Sequence, residues 1–327
     1  MPRLTVVIPA LNEAEGIADT VSAAFAAVGG LDALHPEVLV VDDGSTDATG
    51  EAVTQLMASD SRVGLLSLSR HFGKEGAIHA GLAHAKGDAV IVMDGDLQHP
   101  PQLIPEMVRL WEQGLPIVEA VKRTRRDESW WSRAFYAVFV RLTGLDIRNH
   151  TDFKLLDREV VDAWLALPER TRFFRGLVAW LGYPAAQVYF DVPTRSHGLS
   201  AFSRMRLWRL SLNAIAAFSS MPLQLVSWIG ALYSLLALVI GGLTMYHWVT
   251  GQAVSGFTTV NLLILITGGT LLVGLGIIGM YVALIYGEVK HRPAYRVDAR
   301  QSRLPGEDTP ASASQTTGLV DETRIPR

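Results

Sequence analysis

The feature that most constrains this chain is a long stretch without charge in its C-terminal third. No Lys, Arg, Asp or Glu occurs between Arg209 and Glu288. Two apolar segments lie within this stretch, roughly Leu223–Val249 and Val260–Tyr286, and each exceeds the ~20 residues that a helix needs to span a bilayer. Buried helices of soluble proteins rarely lack charge over such a length. The sequence therefore predicts two transmembrane helices, with the lipid bilayer as a partner.

Basic residues flank the two apolar segments on both sides. They are Arg204, Arg206 and Arg209 before the first segment, and Lys290, Arg292 and Arg296 after the second. Because Lys and Arg are enriched in cytoplasmic loops, we expect both chain ends in the cytoplasm and a multi-pass protein of the inner (plasma) membrane. Glycines in the second segment favour close helix packing, and we expect a homo-oligomer.

Composition excludes several classes of protein and of site. The chain has 327 residues, 49% of them hydrophobic, and a formal net charge of -3. Without a basic excess, nucleic acid is not an expected partner. Cysteine is absent, which excludes disulfides, thiolate metal sites and a cysteine nucleophile. A strand pattern at Leu4–Ile8 begins almost at the N-terminus, so no signal peptide is expected.

Strand patterns and helix patterns alternate through the first part of the chain. Leu4–Ile8, Glu37–Val41 and Val63–Leu68 are short apolar runs, and each ends in a polar cluster before a helix pattern. Val90–Met93 repeats the arrangement. This alternation predicts an α/β fold with a mostly parallel, Rossmann-like sheet, in which ligands bind beyond the carboxyl ends of the strands.

Two carboxylates, Asp94 and Asp96, directly follow the buried strand pattern Val90–Met93. One carboxylate can face a ribose or base while the other faces a metal-bound diphosphate. Such oxygen ligands suit Mg²⁺ or Mn²⁺, which usually complete their coordination with substrate phosphates and water. An isolated Asp-x-Asp also occurs in ordinary acidic turns, so the interpretation depends on the clusters that follow the other strands.

Further polar and basic residues follow the neighbouring strands. Those suited to a nucleobase or ribose are Glu13, Asp42 and Asp43, and those suited to phosphates are Arg70, Lys74, Arg123 and Arg195. Two of these have plainer alternatives, because Asp43 can serve only its turn and Lys74 can pair with Glu75 or Asp96. Neither Gly-x-x-x-x-Gly-Lys-Ser/Thr nor Gly-x-Gly-x-x-Gly occurs, so neither a P-loop NTPase nor a Rossmann dehydrogenase is supported.

Six motifs, taken in order, resemble one known family. Val-Ile-Pro-Ala-Leu-Asn-Glu (7–13), Val-Val-Asp-Asp-Gly-Ser-Thr-Asp (40–47) and Met-Asp-Gly-Asp-Leu-Gln-His-Pro-Pro (93–101) resemble family-2 inverting glycosyltransferases of the type-A fold. The motifs at 69–75, 152–156 and 167–173 narrow the resemblance to polyprenyl-phosphate glycosyltransferases. That group includes dolichol-phosphate mannose synthase and bacterial undecaprenyl-phosphate glucosyltransferases with two C-terminal spans. The resemblance covers about residues 4–290.

The resemblance implies roles for individual residues. A uridine-type nucleotide pocket is expected around Pro9, Asn12, Glu13 and Asp42, beside the candidates Asp43, Arg70 and Lys74. Asp94 is expected to contact the nucleotide-sugar, while Asp96 and Gln98 hold Mg²⁺ or Mn²⁺. Arg123 and Arg195 are expected to approach the phosphates, and Asp152 the reacting centre. The candidates for the acceptor phosphate are Arg126, Ser132, Arg133, Arg195 and Ser200.

Two departures from the family pattern bear on the acceptor. The family loop usually reads Arg-x-x-Gly-x-Ser-Lys, yet Ala201 stands where the lysine is expected. The segment after Glu128-Ser129 is also shortened, which leaves the assignment of Ser132 and Arg133 open.

By resemblance and hydropathy, the chain divides into a catalytic domain, a membrane region and a tail. The catalytic domain is predicted at 1–200 in the cytoplasm, followed by an amphipathic juxtamembrane helix at 201–221 that rests on the bilayer. The predicted spans are 222–250 and 259–287, joined by an outer loop at 251–258. A cytoplasmic tail, 288–327, is predicted to be largely disordered, because it is rich in Ser, Thr and Pro beyond Asp298.

The expected reaction is transfer of a sugar from a nucleotide-sugar, such as UDP-glucose, to a membrane polyprenyl phosphate with inversion. A phosphate monoester has a second pKa near ~6, so its oxygen is already largely ionised, and Asp152 can orient the acceptor or deprotonate it. One alternative is a processive polysaccharide synthase, although Arg172-Phe-Phe-Arg175-Gly is a poor match to the Gln-x-x-Arg-Trp signature. Another is a non-catalytic membrane sensor of nucleotide-sugars.

Overall fold

The computed structural model of the protein describes residues 1–31, 33–96, 99–123, 150–169, 172–191, 221–251 and 256–306. Within these ranges, the N-terminal part is an α/β domain and the C-terminal part contains two long helices.

Seven strands form one sheet. They are β1 (Arg3–Ala10), β2 (His35–Asp42), β3 (Val63–Ser67), β4 (Ala89–Val92), β5 (Ile117–Lys122), β6 (His150–Asp157) and β7 (Ala185–Phe190). Their order across the sheet is β3-β2-β1-β4-β6-β5-β7. All neighbours are parallel except β6, which is antiparallel to both β4 and β5. The prediction of a mostly parallel α/β sheet is confirmed.

Helices cover both faces of this sheet. They are α1 (Ile17–Val28), α2 (Thr49–Ser59), α3 (Lys74–His84), α4 (Ile104–Glu112, after a 3-10 turn at Pro101–Leu103), α5 (Arg158–Leu165) and α6 (Phe174–Trp180). The apolar residues of α1, α2 and α4 pack in one buried cluster with Val6 and Ile8 of β1. Those of α3, α5 and α6 pack in a second cluster with Val7 of the same strand. Because both faces are buried, the central strands are continuous apolar runs rather than alternating ones.

The charge-free stretch forms two long helices, α7 (Met221–Val249) and α8 (Phe257–Val289). By length and composition, Leu223–His247 and Ile266–Val289 are candidate membrane spans. The two helices touch each other, with a hydrogen bond of 3.1 Å between the Tyr233 and Thr270 hydroxyls. Most of their large apolar side chains are exposed to the surroundings. The prediction of two apolar C-terminal helices is therefore confirmed, whereas the juxtamembrane helix predicted at 201–221 lies almost wholly outside the described residues.

The structure corrects one part of the predicted disordered tail. Helix α8 continues to Val289, and the residues from Lys290 to Gly306 have a defined course along β3, with antiparallel bridges at Leu65–Arg303 and Leu68–Val297. The physical reason is that β3 is an edge strand, whose outer N–H and C=O groups need partners. Composition alone indicated disorder because it does not reveal an available sheet edge. Residues 307–327 lie outside the described residues.

Candidate active site

The carboxyl ends of the parallel strands all lie along one side of the sheet, which we call its carboxyl edge. The loops after β1, β2, β3 and β4 lie there, and so does the end of β5. Because β6 runs in the opposite direction, its first residues lie at this same edge. The antiparallel strand therefore brings Asp152 next to the Asp94 loop.

Asp152 is the common partner of two basic side chains at this edge. Its side chain is buried, with the residue only 4% exposed, and it receives two hydrogen bonds from Arg175, at 2.6 Å from Nε and 2.8 Å from Nη2. Lys74 Nζ lies 2.5 Å from Asp152 Oδ2 and also 2.5 Å from Asp94 Oδ1. These four side chains form one ion-pair network, which we call the Asp152 cage.

The charges in the cage determine the protonation state of Asp152. Burial by itself raises the pKa of Asp152, but the hydrogen bonds and charge of Arg175, together with the charge of Lys74, hold that pKa well below its usual range. Burial likewise opposes the charge of Lys74, while Asp94 and Asp152 raise its pKa. Asp152 is thus an anion and a weak base.

Lys74 is the most accessible basic residue of the cage. It begins α3 after Gly73, and its side chain remains 42% exposed although it contacts two carboxylates. The sequence predicted a phosphate contact for Lys74, with pairing to Glu75 or Asp96 as the alternative. In the structure Lys74 pairs with Asp94 and Asp152 instead, so the phosphate contact stays a prediction.

Sequence reasoning missed Arg175 and Glu75. Arg175 was considered only as part of a poor match to a synthase signature. One available signal was its position as the single charge in the apolar helix α6, because a charge on a buried helix needs a partner. Glu75 accepts a hydrogen bond of 2.9 Å from the backbone N–H of Phe174. Burial, followed by the charge of Asp152, raises the pKa of Glu75 to about 7.

The loop Asp94-Gly95-Asp96 is held by a hydrogen bond from helix α1. The Thr20 hydroxyl donates a buried hydrogen bond of 2.7 Å to the Gly95 carbonyl. Burial and the charges of Asp96, Asp47 and Asp94 raise the pKa of Glu13, which shows that these carboxylates share one acidic region. Such a region attracts a cation.

The residues present fit a divalent cation that arrives with its substrate. No cluster of three or more His, Cys, Asp or Glu suited to a metal occurs within the described ranges. The carboxylates at this position are those of Asp94 and of the exposed Asp96, and Gln98, the third predicted ligand, lies outside the described residues. Mg²⁺ is typically held by one or two carboxylates with substrate phosphates and water. Two carboxylates at the mouth of the site match that mode.

The loops after β1 and β2 are tied together, as the predicted nucleotide pocket requires. Asn12, in a left-handed conformation with φ 56°, accepts a hydrogen bond of 2.9 Å from the Thr46 N–H and donates one of 2.9 Å to Ser45 Oγ. Asp42 accepts from the Ser45 N–H at 2.9 Å. The Glu13 N–H donates to Thr49 Oγ1, also at 2.9 Å. Pro9 pairs in register with Val41 in the adjoining strands. All four residues predicted for the nucleotide therefore lie together at this edge.

Asp43, in the loop after β2, and Arg70, in the loop between β3 and α3, lie side by side at this edge. The Asp43 carboxylate accepts hydrogen bonds from the N–H groups of Phe72 (2.7 Å) and Gly73 (2.9 Å), and its Oδ2 lies 2.8 Å from His71 Nδ1. Through these contacts, the Asp43 carboxylate holds the backbone of the β3–α3 loop. Arg70 is exposed, with its guanidinium 4.2 Å from the centre of the Phe72 ring. Direct contact of either residue with a nucleotide stays a prediction.

Arg123 lies at the same edge, at the end of β5. Its Nη1 is 3.2 Å from Asp191 Oδ2, and both side chains are largely exposed. The Arg123 N–H donates to the Phe190 carbonyl at 2.9 Å. The remaining predicted site residues lie outside the described ranges: Arg126, Ser132, Arg133, Arg195 and Ser200.

Sequence comparisons identify relatives along most of the chain. Residues 5–165 match the family model described as glycosyl transferase family 2. The chain is 40% identical over 306 residues to an uncharacterized glycosyltransferase of Synechocystis sp., covering 90% of this chain and 94% of that protein. It is 35% identical over 302 residues to the bactoprenol glucosyl transferase of Shigella phage SfV, covering 90% of this chain and 97% of the relative.

A comparison with solved structures finds similar chains as well. One is a mannosyltransferase from Pyrobaculum calidifontis in complex with GDP-Man and Mn²⁺, with 24% identity and a TM-score of 0.46. The similarity covers 66% of this chain and 62% of that chain.

Proposed function

Because the chain belongs to glycosyl transferase family 2, we propose that it transfers glucose from a nucleotide-sugar such as UDP-glucose to a membrane polyprenyl phosphate with inversion. One observation carries this proposal: a single chain combines the charged Asp152 cage with two candidate membrane spans. A long isoprenoid phosphate is confined to the bilayer, and its head group has to meet a water-soluble donor. An enzyme with both parts suits that pair of substrates.

The donor is assigned to the loops after β1 and β2. Pro9, Asn12, Glu13 and Asp42 are expected to line the nucleotide pocket, and the hydrogen bonds between the two loops hold it in shape. Asp94 is expected to contact the nucleotide-sugar. The anomeric carbon of the sugar then faces the Asp152 cage at the centre of the sheet edge.

In the reaction, a phosphate oxygen of the acceptor forms a bond to the anomeric carbon while the bond from that carbon to the diphosphate breaks. The nucleoside diphosphate leaves with the electron pair, and inversion follows from attack on the opposite face. An acceptor phosphate with a second pKa near ~6 needs little deprotonation near neutral pH. Because the pKa of Asp152 is held low, its role is to hold Arg175 and Lys74 in position rather than to remove a proton.

Basic groups near Asp152 are expected to balance the charge that develops on the diphosphate. Lys74 is exposed enough to reach a ligand, and Arg123 lies at the same edge. Mg²⁺ or Mn²⁺ held by Asp94, Asp96 and Gln98 would supply further neutralisation of the diphosphate. The acceptor phosphate is assigned to the segments that contain Arg126, Ser132, Arg133, Arg195 and Ser200.

The same proposal places the protein in the inner membrane as a multi-pass homo-oligomer. The catalytic domain and both chain ends lie on the cytoplasmic side, because basic residues flank the two spans there. Nucleotide-sugars are available on that side.

The test uses membranes that contain the protein and a panel of labelled UDP- and GDP-sugars. We expect label from one donor to enter an organic-extractable lipid, and Asp96→Ala to lower that labelling at least about a hundredfold. Asp60→Ala, which removes an exposed partner of Arg62, serves as the matched control and leaves labelling unchanged. Label in water-insoluble polymer would favour a processive synthase. Nucleotide binding without any product would favour a sensor.

A further inference from the structure

The segment after α8 is the short connection between the membrane region and the catalytic domain. Only six residues separate Val289, the last residue of α8, from Arg296, whose carbonyl accepts a hydrogen bond of 2.8 Å from the Ser69 N–H. An extended chain advances at most about 3.6 Å per residue, so the end of α8 lies within about 25 Å of β3. The other connection, between Asp191 and Met221, is longer, with 29 intervening residues.

This segment pairs with the outer side of the edge strand β3 in an irregular antiparallel arrangement. Leu65 and Arg303 exchange two backbone hydrogen bonds of 2.8 and 2.7 Å. Nearby, the Asp298 N–H donates to the Ser67 carbonyl at 2.8 Å, and the Ser67 N–H donates to Ser302 Oγ at 2.9 Å. These contacts satisfy the outer edge of β3 over most of its length.

The fit between the segment and β3 depends on a glycine. A Cβ atom added at Gly64 would lie 2.7 Å from the backbone nitrogen of Pro305, which is closer than real side chains approach. Any other residue at this position would push the segment off the strand. The absence of a side chain at Gly64 therefore allows the backbone at Pro305 to lie against β3.

Because the pairing is antiparallel, the segment runs along β3 from the carboxyl end of that strand to its amino end. The first docked residues, nearest to α8, meet β3 at its carboxyl end, where Ser69 begins the loop to α3. The last ones, Arg303 and Pro305, lie at its other end. The short connection to the membrane helix thus reaches the sheet at the edge that carries the Asp152 cage.

Tyr295 links the same segment to the helices behind the site. Its ring packs edge-on against His79 of α3, with centroids 5.1 Å apart, and His79 packs edge-on against Trp164 at 5.5 Å. Trp164 in turn contacts Phe174, whose N–H binds Glu75 and whose neighbour is Arg175. His79 Nδ1 makes no hydrogen bond within the described ranges, so ring packing holds this residue.

We propose that residues 292–306 form a membrane strap that holds the carboxyl edge of the sheet close to the bilayer, with Tyr295 as its positioning residue. The strap keeps the Asp152 cage within reach of the head group of a lipid-bound acceptor. This inference rests on the proposed lipid acceptor, because a water-soluble acceptor would need no fixed height above the membrane.

The test lengthens the tether without changing the strap. A flexible linker of twelve Gly and Ser residues is inserted between His291 and Arg292 of the full chain in lipid nanodiscs. Transfer is measured to a full-length polyprenyl phosphate in the bilayer and to a short water-soluble isoprenyl phosphate. We expect transfer to the bilayer acceptor to fall at least tenfold and transfer to the soluble acceptor to stay within twofold. The same linker inserted after Gly306 is the matched control and changes neither.

A second readout is independent of activity. The native chain has no cysteine, so Gln55→Cys on the exposed face of α2 provides a single dye site. Energy transfer from this dye to acceptor-labelled lipid reports the height of the domain, and we expect the His291–Arg292 insertion to lower it. Unchanged energy transfer and bilayer activity would overturn the strap, as would an equal loss with both acceptors. If the unmodified protein used neither acceptor, the proposed function would fail and energy transfer alone would decide the strap.

Tyr295 provides a substitution test of the same idea. Tyr295→Ala removes the ring from His79, and we expect lower energy transfer and a KM for the bilayer acceptor raised about tenfold, with kcat for the soluble acceptor retained. Tyr295→Phe keeps the ring and should restore both values. Equal loss in the two variants, or a loss of kcat alone, would contradict a positioning role.

Discussion

At the residue scale, the site is organised by a carboxylate that is kept charged. Asp152 is buried, yet Arg175 and Lys74 surround it and keep its pKa low. A buried ion network with all its partners is stable, whereas removal of one partner leaves an uncompensated charge. The cage is therefore sensitive to single substitutions, and its members have distinct roles that can be separated.

We expect Arg175→Ala to lower transfer about ten- to a hundredfold, because Asp152 then loses both guanidinium hydrogen bonds. Arg175→Lys should recover only part of the rate, since an ammonium cannot form the bidentate pair. Initial rates with the lipid acceptor measure the effect. Arg62→Ala, which breaks an exposed pair with Asp60, is the control and should change the rate less than twofold.

Glu75 should make stability depend on pH in a direction that can be measured. Its folded-state pKa is about 7, above its ordinary value of 4.5, because burial disfavours the charged form. The folded protein therefore binds more protons than the unfolded protein between these values, and stability falls as pH rises from about 4.5 to about 7. Glu75→Gln keeps an acceptor for the Phe174 N–H and should remove most of this dependence, a change on the order of 10 °C in Tm. A parallel fall in both proteins between pH 5 and pH 8 would contradict the assignment.

Removal of the divalent metal should abolish transfer and leave the fold intact. Mg²⁺ is typically held by one or two carboxylates together with substrate phosphates, so the metal is expected to arrive with the donor diphosphate. A chelator should stop labelling, and added Mg²⁺ or Mn²⁺ should restore it. In the absence of donor, Tm should not change with the chelator. A large fall in Tm would indicate a structural metal instead.

At the element scale, one reversed strand assembles the site. A sheet with seven parallel strands would place the start of β6 at the opposite edge, away from Asp94. The antiparallel pairing of β6 with β4 and β5 brings Asp152 to the carboxyl edge. The direction of a strand depends on distant pairing that no local sequence pattern reports.

The loop after β2 gives an element-scale prediction. Gly44 has φ +74°, and a Cβ atom there would lie 2.5 Å from the carbonyl carbon of Arg70. Gly44→Ala should therefore destabilise the protein by about 1–2 kcal/mol or more and weaken donor binding. Gly16→Ala, with ordinary φ and open space around it, is the control. Tm and calorimetric binding of UDP measure the two effects, and equal behaviour of the variants would contradict the backbone argument.

In the molecule as a whole, a tail that follows the two candidate membrane helices returns to the sheet of the α/β domain. The exposed apolar surface of α7 and α8 needs a lipid environment, since exposed patches of this size are unfavourable in water. The tail then pairs with the edge strand β3 of the sheet, and the same sheet carries the site. Fold and membrane attachment are thus parts of one arrangement.

The proposed topology can be checked by labelling single cysteines. Gln55→Cys reports on which side of the membrane the catalytic domain lies. Thr250→Cys does the same for the end of α7, and Gln301→Cys for the tail. All three positions are exposed. In intact cells, a membrane-impermeant maleimide should label only Thr250→Cys, because basic residues on both sides of the spans keep the other two positions in the cytoplasm. Labelling of Gln301→Cys without permeabilisation would contradict the proposed topology.

Many of the strands, the two long helices and the polar residues at the carboxyl ends of the strands could be predicted from the sequence. Its apolar runs predicted the strands and the two long helices, and the polar residues after those runs predicted the acidic nucleotide edge, because local patterns report burial and turns directly. Which of these groups contact one another depends on the tertiary fold. The fold brings Arg175 and Lys74 to Asp152, turns Asp43 toward the β3–α3 loop and docks the tail on β3. Such contacts join residues far apart in the chain, and their geometry depends on how the sheet is ordered rather than on any local pattern.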